Sequence, residues 1–353
     1  MELTAMTKLR VGVIGLGIGR SHIRGFQSHP CAEVVAIADL DETRLQASGD
    51  EFKIPNRYRD AQEMLTKEKL DIVSVCTPNK FHKPLTLAAF KAGCHVLCEK
   101  PMAMNTAEAR EMLPAAKKAG KRLMINFSYR FRPESWAIKT QVDDGVLGDV
   151  YFARTIWLRR RFMPGFGGWF GQKELSGGGP IIDLGVHRLD LALWLMGYPK
   201  PVWVLASTSN VIGSRLAEEN GAKFDVEDFG VALIKFENGA TLELETSWTS
   251  YIAEQELMET RLLGTRGGAV QRNVAEGYKF EAELFVEKNG AHYDMKLHHP
   301  PGPEIPNQFQ HFVDCLIHNR PHIATGEEGL VVMELLDAIY ESAASGKPVQ
   351  IKP

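Results

Sequence analysis

The residues whose types and spacing could do chemistry fall into three groups. The first is Val11-Gly12-Val13-Ile14-Gly15-Leu16-Gly17-Ile18-Gly19-Arg20, an apolar run that passes straight into a glycine-rich turn, with Ser21–Gln27 able to continue as a helix. Backbone N–H groups of such a turn, here from Gly15, Gly17, Ile18, Gly19 and Arg20, can approach a pyrophosphate at a helix N-terminus, where the dipole favours anions. The spacing is one residue tighter than the usual fingerprint, and a tight turn that binds nothing has the same composition. Asp39 follows about twenty residues on, where a carboxylate accepts hydrogen bonds from the adenosine ribose and repels a 2′-phosphate. The pair points to NAD over NADP. Asp39 would also serve as a plain turn residue, and Arg44 would reach a 2′-phosphate if the next helix began early.

The second group lies at strand ends. Glu99-Lys100-Pro101 closes the β-rich run His95–Lys100, and Thr77-Pro78-Asn79 with His82 follows the run Asp71–Thr77. Ligands of open α/β sheets sit beyond the carboxyl ends of the strands, so Thr77, Asn79, His82, Glu99 and Lys100 are expected at a cofactor crevice. A solvated lysine and a helix-starting histidine are the plain alternatives. The third group is Gly177-Gly178-Gly179 followed by Asp183-x-x-x-His187. On a helix the last two share a face. Histidine accepts and returns a proton near neutral pH, a neighbouring carboxylate can orient it, and the glycines would let a ligand approach the backbone. An acidic first-turn residue beside a core histidine would have the same spacing.

Two arrangements of elements must position these groups. From Arg10 to Ser128, strand candidates (Arg10–Gly15, Glu33–Asp39, Asp71–Thr77, His95–Lys100, Arg122–Ser128) alternate with helical patterns such as His82–Ala92 and Asn105–Ala119. That alternation predicts a parallel sheet covered by helices. Asn105-x-x-Glu108 reads as a helix start, and Pro114 is expected to kink or end that helix. From Arg132 onward, after one more helix, strands joined by glycine-rich loops dominate, as in an α+β domain with a large, mainly antiparallel sheet. Its clearest hairpin is Gly230–Phe236 and Thr241–Trp248 around Asn238-Gly239, read as a two-residue turn. Helical patterns Ile305–Asn319 and Glu327–Ala344 and a strand near Val349–Ile351 close the chain. The expected division is residues 1–128 and 129–353.

The 353 residues carry 41 Lys+Arg against 44 Asp+Glu, a net charge of −3, without the basic surplus of a nucleic-acid binder. The one dense cationic cluster, Arg159-Arg160-Arg161, would alternate across a strand, facing solvent or, less simply, a phosphorylated substrate. Five cysteines, an odd number in a chain this long, read as buried thiols. His292, His298 and His299 lack a carboxylate or cysteine at ligand spacing, so no metal site is expected. Nothing has the length of a signal peptide or membrane span. The expectation is a cytoplasmic protein.

Taken in order, the glycine turn, the Glu-Lys-Pro strand end and the Gly-Gly-Gly…Asp-x-x-x-His segment resemble the Gfo/Idh/MocA oxidoreductases, which include inositol and other sugar dehydrogenases. Asp71–Asn79, Gly148-Asp149-Val150, Val226-Glu227-Asp228 and Gly326–Leu330 match as well, so the resemblance covers nearly the whole chain. It implies a Rossmann domain followed by an open-faced sheet domain, a catalytic trio of Lys100, Asp183 and His187, a cis Lys100–Pro101 bond, and a homodimer or homotetramer. Tyr129 and Arg130 fall where relatives contact substrate, and Trp169 and Lys173 are further sugar-contact candidates. The implied reaction is hydride transfer between nicotinamide and a carbon bearing a secondary hydroxyl of a sugar or polyol. The alternatives are a glycosidase using tightly held NAD for transient oxidation and elimination, and a non-catalytic NAD(P)-binding regulator.

Overall fold

The computed structural model describes residues 8–161, 167–298 and 306–351. His299, the Pro300–Pro303 loop, the first residue of the Ile305–Asn319 pattern and the N-terminus before Lys8 lie outside the described residues. Contacts divide the chain into two compact units.

In the first unit, β1 (Leu9–Ile14), α1 (Gly19–Gln27), β2 (Ala32–Ala38), α2 (Glu42–Glu51), β3 (Asn56–Tyr58), α3 (Ala61–Lys67), β4 (Ile72–Val75), α4 (His82–Lys91), β5 (His95–Cys98), α5 (Thr106–Ala119) and β6 (Leu123–Ile125) follow in order. The strands pair in parallel in the order β3-β2-β1-β4-β5-β6. Val11, Val13, Ile72, Val73, Val75, Val96 and Leu97 are all 0% exposed, as in a sheet covered on both faces. β3 has only three residues with no alternating pattern, so no local signal announces it. Asn105 caps α5 by accepting the Glu108 N–H at 3.0 Å, and the Glu108 carboxylate returns to the Met104 N–H at 3.2 Å. Contrary to expectation, α5 runs through Pro114 to Ala119. Its far end is secured by Gly120, whose left-handed N–H bonds Ala116 and Lys117 carbonyls.

The second unit holds α6 (Pro133–Asp143), β7 (Val150–Arg159), α7 (Lys173–Ser176), α8 (Val186–Leu195), β8 (Pro201–Ser209), α9 (Val211–Asn220), β9 (Phe229–Phe236), β10 (Thr241–Ser247), β11 (Glu256–Gly264), β12 (Gly267–Val274), β13 (Lys279–Lys288) and β14 (Ala291–Leu297). α10 (Gln308–Ile317), α11 (Gly326–Ser345) and β15 (Val349–Gln350) complete the chain. The nine-stranded sheet has the order β14-β13-β12-β11-β7-β10-β9-β8-β15, antiparallel except at β7–β10. The β9–β10 hairpin has a three-residue loop, because Phe236 N–H bonds Ala240 and only Gly239 of the pair has positive φ.

The division departs from a single cut after residue 128. The first unit ends at Asn126 and takes back Pro306–Met333, so the boundary falls a second time inside α11. The returning segment is bound by specific contacts. Phe309 of α10 packs on Phe26 and His22, and a Cβ on Gly25 would lie 2.0 Å from its ring. Arg122 donates to the Cys315 carbonyl at 2.8 Å, and Met124 bridges to Thr325. Among the described residues no helix is long and apolar enough to cross a membrane.

Candidate active site

The glycine turn lies between β1 and α1. Gly15 has φ +86°, and a Cβ there would sit 2.6 Å from the Cys76 carbonyl, so only glycine fits. Gly17 has nothing within 4 Å of such a Cβ, and Ile18 is 55% exposed, so the tip of the turn is open. Asp39 follows β2 directly. Its Oδ2 accepts the Leu16 N–H at 2.7 Å and its Oδ1 the Asp41 N–H at 2.9 Å, with Arg44 3.4 Å away. The carboxylate therefore fixes the turn while marking the end of β2. Arg20, expected at the pyrophosphate, turns its guanidinium to Glu51, which also binds Arg24 at 2.8 Å. The open tip, the bare glycines and the fixed carboxylate suit a dinucleotide.

At the ends of β4 and β5 the residues expected to touch a cofactor separate into two kinds. Thr77 and Lys100 keep partial exposure, and the Lys100–Pro101 bond is cis. Asn79 is 5% exposed and Glu99 7%. His82, at 0%, is enclosed, its ring nitrogens 2.6 and 2.8 Å from the Pro101 and Thr77 carbonyl oxygens. It ties the two strand ends together, and burial draws its pKa down. Glu99 also turns inward, to His22 and Asn126.

In the second unit a π-helical turn, Ile181–Gly185, leads into α8. Such turns recur at functional sites. From Ile181 to Leu195 every residue is buried except Asp183 and His187. Asp183 Oδ2 accepts the Trp248 Nε1–H at 3.0 Å. The His187 ring meets Tyr129 edge-on at 5.2 Å and Trp157 at 5.7 Å. Arg188, 0% exposed, lays its guanidinium 4.4 Å from the Tyr129 ring centre and 5.3 Å from that of Trp157. Burial lowers its pKa.

The triple glycine answers to the protein's own atoms rather than to a ligand beside it. A Cβ on Gly178 would lie 2.0 Å from the Tyr340 hydroxyl, and one on Gly179 2.0 Å from the Glu227 carbonyl oxygen. The Glu227 carboxylate accepts the N–H groups of Gly179 at 2.9 Å and Ile181 at 3.1 Å and the Tyr340 O–H at 2.9 Å. Burial raises its pKa against these bonds. Glu227 thus holds the N-terminal approach to Asp183, a role its Val-Glu-Asp motif did not disclose.

Arg130, expected to contact substrate, is instead 0% exposed. Its guanidinium grips Asp190 of α8 (Nε–Oδ2 2.9 Å, Nη2–Oδ1 2.5 Å) and also reaches the Tyr198 hydroxyl. It anchors the helix. Tyr129 is 4% exposed and likewise serves as a wall, with its ring against His187. Trp169 stacks on Phe170 at 3.9 Å, and Phe170 meets Trp248, which leads from that loop to Asp183. Lys173 is exposed at the start of α7, its N–H bound to Asp225 at 2.6 Å. Arg159 pairs with Glu256 at 2.7 Å and Glu256 also accepts the Trp157 Nε1–H, so this arginine's charge is already matched. Arg160 donates to the Ala253 carbonyl and Arg161 to the Tyr251 hydroxyl. Sequence reasoning missed Trp157, Trp248 and Glu256, for which the only signal was aromatic and acidic residues at strand ends. Among the described residues no group of three or more His, Cys, Asp or Glu could hold a metal ion.

Comparison with known proteins is consistent with this geometry. Residues 9–127 match the Gfo/Idh/MocA oxidoreductase family, NAD-binding Rossmann fold, and residues 139–351 match the C-terminal alpha/beta domain of the same family. The chain is 36% identical to D-glucoside 3-dehydrogenase of Escherichia coli strain K12, covering 99% of both chains. It is 30% identical to myo-inositol 2-dehydrogenase of Thermotoga maritima, covering 98% of this chain and 99% of that one. Among solved structures, GenD2 from gentamicin A biosynthesis in complex with NAD superposes with a TM-score of 0.81 at 27% identity, covering 100% of this chain and 99% of that one. The chain belongs to the Gfo/Idh/MocA oxidoreductases, and its first unit carries that family's NAD-binding Rossmann fold.

Proposed function

We propose that the protein is an NAD-dependent dehydrogenase that oxidises a secondary ring hydroxyl of an uncharged sugar, with the 3-hydroxyl of a D-glucoside as the leading substrate. The observation that carries this is the exposure of Asp183 and His187 alone in an otherwise buried segment, framed by Trp157, Tyr129 and Trp248. These rings, 1–4% exposed, hold the two polar side chains in place. The charge of Arg159, the cluster member that lies over Trp157, is already matched by Glu256. The 36% identity to a D-glucoside 3-dehydrogenase supports the position attacked.

Gly15, Gly17, Ile18 and Gly19 would hold the pyrophosphate, Asp39 the ribose, and Thr77, Asn79 and Lys100 would face the remainder. When bound, NAD accepts the two electrons of the substrate C–H bond as hydride. The residues of the chain handle the proton: His187 accepts it from the hydroxyl as the C=O bond forms, and Asp183 stabilises the resulting imidazolium. Lys100 would stabilise negative charge developing on the same oxygen. Alcohol and NAD⁺ thus give ketone, NADH and one proton.

We also propose a homo-oligomer. The face of the nine-stranded sheet opposite the π turn exposes Leu205 and Leu233, which are paired in register. The activity test is absorbance at 340 nm with NAD and a panel of methyl glucosides, inositols, aldoses and sugar phosphates. A rise with glucosides, and NMR placing the ketone at C3, is expected. Silence across the panel with NAD retained in the purified protein would turn the reading to the transient-oxidation glycosidase.

A further inference from the structure

We infer that the buried pair His22 and Glu99 is a positioning device that ties the glycine-turn helix to Lys100. This rests on the reading of Lys100 as the group at the reacting oxygen. Four elements meet in one hydrogen-bonded cluster around the pair. His22 lies on α1, which opens at the glycine turn; Ser74 lies on β4; Glu99 follows β5; Asn126 follows β6. Their exposures are 1%, 0%, 7% and 6%. Glu99 Oε1 accepts His22 Nε2–H at 2.7 Å and Asn126 Nδ2–H at 2.5 Å, while Oε2 accepts the backbone N–H of Lys100 at 3.1 Å. The Ser74 hydroxyl lies 2.7 Å from His22 Nδ1, the other ring nitrogen. Phe309 covers the ring edge-on at 4.7 Å.

An apolar side chain of the same volume would fill this place at least as stably, since a buried carboxylate carries a desolvation cost that its partners must offset. Burial pushes the Glu99 pKa up, yet the His22 bond, the charges of His22 and Lys100 and the Asn126 bond bring it to about 2. The carboxylate is therefore ionised at neutral pH, one peptide away from Lys100, and oriented from the helix that begins at the turn. What it fixes is the path of the backbone into Lys100.

The test is a double-mutant cycle, with turnover counted per NAD-binding site by titration. Glu99→Gln should lower kcat about tenfold with NAD affinity within about threefold, and should add no loss on top of Lys100→Met, because Glu99 acts only through that lysine. A merely structural role would lower folded fraction or NAD affinity and carry over into the Lys100→Met background. Unchanged kcat in Glu99→Gln, or an additive loss in the double variant, overturns the inference. Full turnover in Lys100→Met would overturn the reading of Lys100 and this inference with it, whereas a large loss there beside a normal Glu99→Gln overturns the inference alone. If Glu99→Gln does not fold, His22→Gln, which keeps an N–H for the carboxylate, is compared with His22→Leu. The glutamine variant should retain more kcat than the leucine variant, and equal values overturn the inference.

Discussion

His187 is held by two aromatic rings and Asp183 by an indole N–H. Replacing His187 with alanine removes the base at the hydroxyl and should lower kcat about 10²–10⁴-fold, with NAD affinity nearly unchanged. Asp183→Asn keeps an oxygen for the Trp248 N–H and removes only charge, so a smaller loss, on the order of tenfold to a hundredfold, is expected. Steady-state kinetics beside NAD titration checks both; wild-type turnover in the two variants would remove the assignment. Asp39→Ala is a different case, because the same carboxylate holds the Leu16 N–H and is also the proposed ribose contact. It should raise the KM for NAD and raise the NADP-to-NAD ratio of kcat/KM. A weakened KM with an unaltered ratio would mean that Asp39 serves the turn alone. Spacing from glycines singled out Asp39, Asp183 and His187 in the sequence, and the structure places the first beside the glycine turn and leaves the other two partly exposed in a buried segment. Arg130 was misplaced because an arginine beside a strand end looks the same whether it faces solvent or a buried aspartate sixty residues away.

The segment before α8 shows what an element requires beyond its own pattern. Three glycines at a helix start suggested room for a ligand, yet the space at Gly178 and Gly179 is filled by Tyr340 and Glu227. Those residues are distant in sequence, and no local pattern announces them. Gly179→Ala would place a methyl carbon 2.0 Å from a backbone oxygen, a neighbour that cannot swing away. The segment must shift, breaking the Glu227 bonds to Gly179 and Ile181. A loss of about 3 kcal/mol or more is expected, measured by urea unfolding, with kcat falling further than stability alone explains because Asp183 moves with the turn. A variant as stable and active as wild type would show that the turn relaxes freely. Local signals elsewhere were sufficient: Asn105 caps α5 as its spacing with Glu108 predicted. Pro114 was not decisive, because a helix closed by a well-bonded left-handed glycine survives one lost hydrogen bond.

Both sheets were legible from the switch between alternating strand–helix patterns and strand-rich segments. The return of Pro306–Met333 to the first unit was not, since amphipathic helices do not state which core they will cover. That return has a consequence for acid stability. His95 accepts the Arg122 N–H on Nδ1 at 3.0 Å, and His322 stacks on Phe312 of the returning helix α10 at 5.6 Å. Burial foremost, with nearby positive groups, lowers both to about 4 from an ordinary 6.5. The folded chain therefore favours both rings neutral, and the unfolded chain takes up their protons first as pH falls. Their contribution to stability is complete above about pH 6.5 and is lost between about 6.5 and 4. Glu99, held at about 2 against an ordinary 4.5, keeps its contribution above 4.5 and loses it only below that window. Thermal unfolding should thus show two stages of acid destabilisation. His322→Phe, which keeps an aromatic ring against Phe312 but cannot be protonated, should gain on wild type as pH falls from 7 to 4.5. A difference in Tm independent of pH over that range would show that His322 does not couple proton uptake to unfolding.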